Sequence, residues 1–383
     1  MIYLDNAATG FPKPDTVIEE VTRCMREYGG NPGRSSHALA VAAAEKIYEC
    51  REVAARFFGS DAPEQVIFTG NTTMALNFAI KGLLRAGDHV LISDMEHNAV
   101  LRPIAKLTEQ GIIEYDVFPT FVHKRNRTAE DICRGVRALI KPNTRMLICA
   151  HMSNICSSVL PLESLGRLCG EHGILFVVDA AQSAGHLPIH AENMGIDALC
   201  VPGHKGLMGP QGSGILLLRK GLTSDTLIEG GSGVYSLEAH MPTDAPERFE
   251  AGTLPTPAIA GLCEGIRYVE RVGLEQISQA ETVLNRYLQQ RLQAIRGVRV
   301  YVPHHVGSVL LFNLCGIPAD AVGEALNRRG ICVRAGYHCT ALGHKTLKTP
   351  NGGAVRVSPG IWNQRSDMDA LASAVWEIAR TGL

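Results

Sequence analysis

Ile174-Leu175-Phe176-Val177-Val178-Asp179-Ala180-Ala181-Gln182 and, one helix-sized gap later, Ala198-Leu199-Cys200-Val201-Pro202-Gly203-His204-Lys205 are the stretches that decide the fold. In each, a short apolar run gives way to polar residues. A run without polar alternation reads as a strand buried on both faces. The polar residues then stand at the carboxyl ends of neighbouring strands, where open α/β sheets take their ligands. One strand end offers a carboxylate, Asp179, and the other an amine, Lys205.

Working outward, strand-like runs recur at Val66-Ile67-Phe68, His89-Val90-Leu91-Ile92, Met146-Leu147-Ile148-Cys149 and Ile215-Leu216-Leu217-Leu218. Helical patterns such as Thr73 to Leu84 and Leu162 to Cys169 lie between them. That alternation predicts an α/β domain with a mainly parallel sheet covered on both faces. After Leu254-Pro255-Thr256-Pro257 the texture changes to one long helical stretch over about 258–295, followed by short strands and helices. The expected organisation is a large domain over 16–257 and a smaller α+β C-terminal domain over 258–383, joined by residues 1–15.

The chain has 383 residues, more than one compact core usually holds. Its formal net charge of -1 gives no electrostatic reason to expect nucleic acid or an anionic membrane as partner. Eleven cysteines without a C-x-x-C pair fit neither a disulfide framework nor a zinc ribbon, and read mostly as reduced core residues. Met1-Ile2-Tyr3-Leu4-Asp5 lacks a basic leader, and no apolar run approaches a membrane span. A cytoplasmic location is expected.

The Asp179 and Lys205 pair suits pyridoxal 5'-phosphate (PLP). Lysine can hold the cofactor aldehyde as a Schiff base, and aspartate can keep the ring nitrogen protonated. An Asp and a Lys at strand ends are also common surface residues. The cofactor reading gains force because the other groups it requires follow in a workable order. Thr69-Gly70-Asn71-Thr72-Thr73 joins a strand to a helix, where free amides and hydroxyls bind a phosphate, although capping alone also explains Asn or Thr there. His97 follows the strand that ends at Ser93 and points to the same crevice, suited to stack on a pyridine ring. Asn154 and Gln182 offer amides for the cofactor's phenolic oxygen and for substrate. Gly209-Pro210-Gln211-Gly212-Ser213-Gly214 lacks the order of a dinucleotide site and reads as a tight connection.

Tyr3-Leu4-Asp5-Asn6-Ala7-Ala8, Met95-Glu96-His97, Ser153-Asn154, Asp179-Ala180-Ala181-Gln182, Gly203-His204-Lys205 and Phe249-Glu250-Ala251-Gly252-Thr253 together resemble the cysteine desulfurases of the class V aminotransferase superfamily. The resemblance runs over nearly the whole chain. It implies a fold-type-I PLP-dependent transferase in which Lys205 carries the cofactor, Asp179 pairs with the pyridine nitrogen and His97 stacks on the ring. It further implies that Gln182 bonds the phenolic oxygen, that Thr72, Thr73 and His204 bind phosphate, and that Thr253 reaches the cofactor phosphate of a partner subunit in a homodimer.

Arg334-Ala335-Gly336-Tyr337-His338-Cys339 resembles the R-x-G-x-H-C loop that carries the family's sulfur-accepting cysteine. Read from its residues alone, a Cys beside His338 and before the flexible-looking Thr340 to His344 stretch is a candidate nucleophile, because a neighbouring imidazolium lowers a thiol pKa. A buried structural cysteine and a metal site of His338, Cys339 and His344 are the competing readings. Arg356 matches the arginine that clamps the substrate carboxylate, a task suited to a guanidinium. Pro202 departs from the family, which usually places Ser or Thr there and gains a phosphate contact from it. The short span from Cys339 to Arg356 looks like the SUF-type, selenocysteine-lyase-like branch. The expected activity converts L-cysteine to L-alanine and leaves a persulfide on Cys339 for a sulfur-acceptor protein. A selenocysteine lyase acting on L-selenocysteine or a C-S lyase on the same scaffold, or a sulfur-carrying partner protein of low turnover, are the alternatives.

Overall fold

The computed structural model describes residues 1–33, 36–124, 126–301 and 307–382. After a short first strand, β1 (Ile2–Tyr3), come β2 (Val66–Thr69), β3 (His89–Ser93), β4 (Glu114–Phe118), β5 (Thr144–Ala150), β6 (Leu175–Asp179), β7 (Ala198–Pro202) and β8 (Gly214–Leu218). The last seven of these form one sheet in the order β2-β8-β7-β6-β5-β3-β4. From β7 to β4 all neighbours run parallel, and β8 lies antiparallel to both β7 and β2. The class is α/β, with a mainly parallel sheet.

Every residue of β2, β3, β6, β7 and β8 is buried, because helices cover both faces. The period-2 alternation still sorts the side chains. Phe176, Val178, Leu199 and Val201 enter one core layer, while Val177, Ala198 and Cys200 enter the other. Asp179 is the last residue of β6 and pairs in register with Cys200 of β7 and Ala150 of β5. The turns after β3, β5, β6 and β7 therefore leave the sheet at the same end.

Sequence pattern passed over β4. Its residues Glu114-Tyr115-Asp116-Val117-Phe118 bury only Phe118, because the strand sits at the sheet edge with one side in water. The helical stretch expected over 258–295 is two helices, Thr256–Val272 and Leu274–Gln293. Between them Gly273 adopts φ 91°, a conformation that breaks the helix and is open to glycine at little cost.

The remaining strands are β9 (Val298–Tyr301), β10 (Leu310–Leu314), β11 (Ile331–Cys332), β12 (Arg334–Gly336) and β13 (Ala354–Val357). Four of them make an antiparallel sheet in the order β12-β13-β10-β9. β1 pairs with β11, and Asp5 bridges Ser358, so the first residues of the chain lie against its last quarter. Among the described residues no helix is long and apolar enough to cross a membrane.

Candidate active site

Thr72, Thr73, His97, Asn154, Asp179, Gln182, His204 and Lys205, all singled out from sequence, line one cleft at the carboxyl end of the parallel strands. Pro202 lines it as well, ending β7 just before Gly203. Cys339, Arg356 and Thr253 lie outside this lining.

Burial holds the Lys205 amine down at about 8; Asp179 works against that shift, while Arg356 and Arg334 add to it. About a tenth of the amine is therefore neutral and nucleophilic at pH 7, far more than for a lysine at its ordinary value. Asp179 is 3% exposed, and its Oδ1 accepts from the Ala181 amide at 2.9 Å. Burial raises its pKa, with the Ala181 hydrogen bond and the Lys205 charge opposing. A cation brought against this carboxyl keeps it ionised, and a protonated ring nitrogen is such a cation.

The helix Thr72–Leu83 begins at the cleft. Asn71 caps it, its Oδ1 accepting from the Met74 amide at 2.9 Å, and the buried Thr72 hydroxyl has no partner. An unsatisfied hydroxyl at a helix N-terminus fits an anionic group. His204 closes the other side. Burial and the nearby charges of Lys205 and Lys13 push it down to about 4, so its ring is neutral, and its Nδ1 lies 3.1 Å from Thr9 Oγ1. The His204 carbonyl accepts from the Gly10 amide, the Thr9 hydroxyl and Lys13 Nζ, the last at 2.7 Å. This lashing of the N-terminal segment onto the peptide that precedes Lys205 had no signal in the sequence, since it joins residues about 190 positions apart.

His97 caps the helix Asn98–Glu109, its Nδ1 accepting from the Ala99 amide at 3.0 Å. Burial, aided by the Lys205 and arginine charges, pushes His97 down to about 4. The ring is neutral and its proton sits on Nε2. Its neighbour Glu96, not assigned a role from sequence, is fully buried. Oε1 accepts from Ser93 Oγ and from the Ala150 amide, stapling the carboxyl ends of β3 and β5, while Oε2 has no partner. Burial pushes Glu96 up to about 8, with Asp179 adding to the shift, so a proton stays on this carboxyl at neutral pH.

The Cys339 loop differs from the sequence reading in two respects. Thr340 to His344 is not a flexible tract, because the helix Ala341–Leu347 begins immediately after Thr340. Nor is His338 an imidazolium beside the thiol. It is 5% exposed and pushed down to about 3, chiefly by burial and then by the Arg356 charge, so it lends Cys339 no positive charge. His338 and His344 spend ring nitrogens on each other at 3.2 Å, which leaves no metal-ligand set with Cys339. Cys339 itself is exposed. It and His338 hold φ of 55° and 50°, the left-handed region that costs a non-glycine residue roughly 1–2 kcal/mol. Three contacts offset that cost. The Cys339 carbonyl accepts from the Asn98 amide at 2.7 Å, the His338 carbonyl from Asn154 Nδ2 at 2.9 Å, and Thr340 Oγ1 donates to Asn154 Oδ1 at 2.7 Å.

Asn154 thus uses its amide on this loop, although it was expected to face cofactor and substrate. Gln182 likewise donates Nε2 to the Ala7 carbonyl at 3.0 Å. Arg356, 2% exposed, donates Nη2 to Asp5 at 2.7 Å and Nη1 to the Asn154 carbonyl at 3.3 Å, while its Nε has no partner. The thiol loop and the guanidinium are both tied to the wall of the cleft through Asn154. Thr253 is exposed on the surface.

A lysine and a buried aspartate at adjoining strand ends, facing a helix-end anion cradle, define a PLP-dependent enzyme of the α/β class. The family described as Aminotransferase class-V matches residues 2–371. The probable cysteine desulfurase of Methanothermobacter thermautotrophicus is 33% identical, covering 100% of this chain and 95% of that protein. The apo structure of cysteine desulfurase from Thermococcus onnurineus NA1 matches with a TM-score of 0.89 at 30% identity, over 100% of this chain and 95% of the other. The cysteine desulfurase CsdA of Escherichia coli, in its S-sulfonic acid form, matches with a TM-score of 0.87 at 27% identity, over 97% and 93%. The chain belongs to the class V aminotransferase family, and pyridoxal 5'-phosphate is its cofactor.

Proposed function

We propose that this enzyme is a cysteine desulfurase that moves sulfur from L-cysteine to Cys339 and releases L-alanine. The observation that carries the reading is the exposed Cys339 thiol on a loop pinned to Asn98 and Asn154, beside a cleft that joins Lys205 to Asp179. PLP, when bound, supplies the electron sink for bond breaking next to the substrate nitrogen. Lys205 would carry it, Asp179 would face its ring nitrogen, His97 would stack on its ring and Gln182 would meet its phenolic oxygen. Thr72, Thr73 and His204 would hold its phosphate, with Pro202 contributing shape and no donor.

Lys205, its pKa near 8, suits a base that takes the substrate Cα proton once its nitrogen is free. Arg356 would hold the substrate carboxylate, aided by Asn154. The Cys339 thiolate attacks the substrate sulfur. A sulfur-sulfur bond forms, the Cβ–S bond breaks and its electron pair stays with carbon, which is then protonated to give the alanine methyl group. The persulfide left on Cys339 would pass to an acceptor protein or a thiol reductant. Eleven unpaired cysteines suit a reducing compartment such as the cytoplasm. A homodimer is supported by Thr253, which is exposed and absent from the lining of its own cleft.

Cys339→Ser tests the reading. A hydroxyl cannot form a persulfide, so alanine release from L-cysteine should fall at least about 100-fold while the cofactor spectrum still responds to added cysteine. Alanine release at the wild-type rate would remove Cys339 as the sulfur acceptor, pyruvate and sulfide in place of alanine would mark a C-S lyase that eliminates sulfide, and surviving activity on L-selenocysteine alone would favour a selenocysteine lyase.

A further inference from the structure

The buried histidine pair behind Cys339 forms a directed chain. The Arg334 carbonyl only accepts hydrogen bonds, so His338 Nε2, at 3.1 Å, must carry a proton. In a neutral ring, His338 Nδ1 is then an acceptor, and the nitrogen 3.2 Å away, His344 Nε2, must be the donor. That leaves His344 Nδ1 as an acceptor, 2.9 Å from the hydroxyl of Thr349. Each member fixes the tautomer of the next. Burial supports the neutral state of both rings, since His344 is 3% exposed and pushed down to about 4. The rings lie parallel, 12° apart with centroids at 5.4 Å, and Tyr337 packs edge-on against His344 while its hydroxyl accepts from the Gly352 amide at 2.9 Å.

This chain joins four parts of one loop. Arg334 lies on β12, His338 in the left-handed pair, His344 in the helix Ala341–Leu347, and Thr349 just beyond that helix's C-terminus. With the His338 side chain turned inward and held at both nitrogens, the next residue is presented outward on the opposite side of the turn. The inward His338 and the exposed Cys339 are two faces of one backbone conformation.

We propose that His344 is a positioning residue for Cys339, acting through His338 to hold the two-residue left-handed turn that presents the thiol. The proposal rests on Cys339 being the sulfur acceptor. It assigns His344 no contact with substrate or cofactor. What His344 supplies is one N–H donor, delivered from a fixed helix to an otherwise unpaired buried acceptor. Its loss should free the turn, and with it the contact between the Cys339 carbonyl and the Asn98 amide that ties the loop to the His97 helix.

The test compares His344→Leu with His344→Gln in the cofactor-loaded full-length enzyme. Leucine fills much of the space without donating, whereas the glutamine Nε2 carries an N–H where the histidine Nε2–H stood. Hydrogen exchange read by mass spectrometry on peptides containing Asn98 and Tyr337 to Leu347 reports the loop, and alanine formation reports the thiol. His344→Leu should speed exchange at least about tenfold in those peptides and lower kcat for L-cysteine by a similar factor, with KM unchanged. His344→Gln should restore both to within about threefold of wild type. Thr349→Val, which keeps both rings and removes only the hydroxyl that donates to His344 Nδ1, should fall between the two and serves if the leucine variant fails to fold. Wild-type exchange in both His344→Leu and Thr349→Val, or equal damage from leucine and glutamine, would overturn the proposal. So would faster exchange with unaltered kcat. Cys339→Ser then separates the two causes. An inactive serine variant places the fault in the relay, and an active one places it in the reading of Cys339 as acceptor.

Discussion

Lys205 feels the carboxylates of Asp179 and Asp5 and the guanidinium groups of Arg356 and Arg334, and burial, the largest influence, acts with the two arginines against the two carboxylates to bring its pKa from 10.5 to about 8. The sign follows from the charge: desolvation disfavours the ammonium, so the neutral amine dominates above pH 8 and is progressively lost below it. Enzyme stripped of cofactor should therefore capture PLP at a rate that levels off above about pH 9 and falls roughly 100-fold by pH 6, because only the neutral amine attacks the aldehyde. Stopped-flow absorbance measures this. An unperturbed lysine would show no plateau in that range. Asp179→Asn should move the midpoint to lower pH, since Asp179 is the larger of the two carboxylate influences that raise the Lys205 pKa. At this scale the sequence was informative wherever a side chain stands at a strand end. Asp179, His97 and Lys205 could be placed because β6, β3 and β7 announce their own carboxyl ends. It was uninformative about what a side chain spends its hydrogen bonds on. His338 looked like a charged neighbour of Cys339, and what makes it neutral, burial first and then the charge of Arg356, is set by packing that the local sequence does not show.

Elements are tied together by a buried ion pair remote from the cleft. Arg51, on the helix Ala38–Phe57, meets Glu250 through Nη1 at 2.8 Å and Nη2 at 2.5 Å, and also donates to the Val66 carbonyl. Glu250 Oε1 accepts in addition from the Phe68 amide at 2.7 Å. One carboxylate thus joins a helix, β2 and the segment that ends in Thr253. Removing its charge strands a buried guanidinium, which typically costs 3–5 kcal/mol. Glu250→Gln should lower stability by about 3 kcal/mol in urea titration, and adding Arg51→Met to Glu250→Leu should recover part of that loss. A change below about 1 kcal/mol for Glu250→Gln would show that the pair is not stabilising this junction. The pair also marks a limit of pattern reading. Helix and strand periods revealed the buried strands, whose apolar runs need no partner to be recognised. They missed β4, where one wet face dilutes the apolar signal, and they ran two helices together across Gly273, because a single glycine inside a long amphipathic stretch does not by itself declare a break.

For the whole molecule, the segment leading to Thr253 leaves apolar side chains in water. Tyr235 is 62% exposed, Leu237 is 103% exposed, and Ile228 and Val234 are exposed beside them in sequence. Single exposed apolar residues are ordinary, but a cluster within ten positions, next to a glycine-rich stretch and a threonine outside its own cleft, suits an interface between two copies. In that arrangement each copy would lend Thr253 to the phosphate end of the other's cleft, so cofactor retention would depend on association. Replacing Leu237 with Asp puts a charge where the partner's apolar surface would lie. The variant should dissociate at concentrations at least tenfold higher than wild type in analytical ultracentrifugation, a loss of about 1.4 kcal/mol or more. Its PLP content after dialysis should fall together with the dimer fraction, while circular dichroism stays unchanged because Leu237 touches no core. Thr253→Ala supplies the complement, weakening PLP retention and leaving the dimer intact. A Leu237→Asp protein that remains dimeric, or one that becomes monomeric and keeps its cofactor as tightly as wild type, would remove the shared site from this account and leave each cleft complete within its own chain.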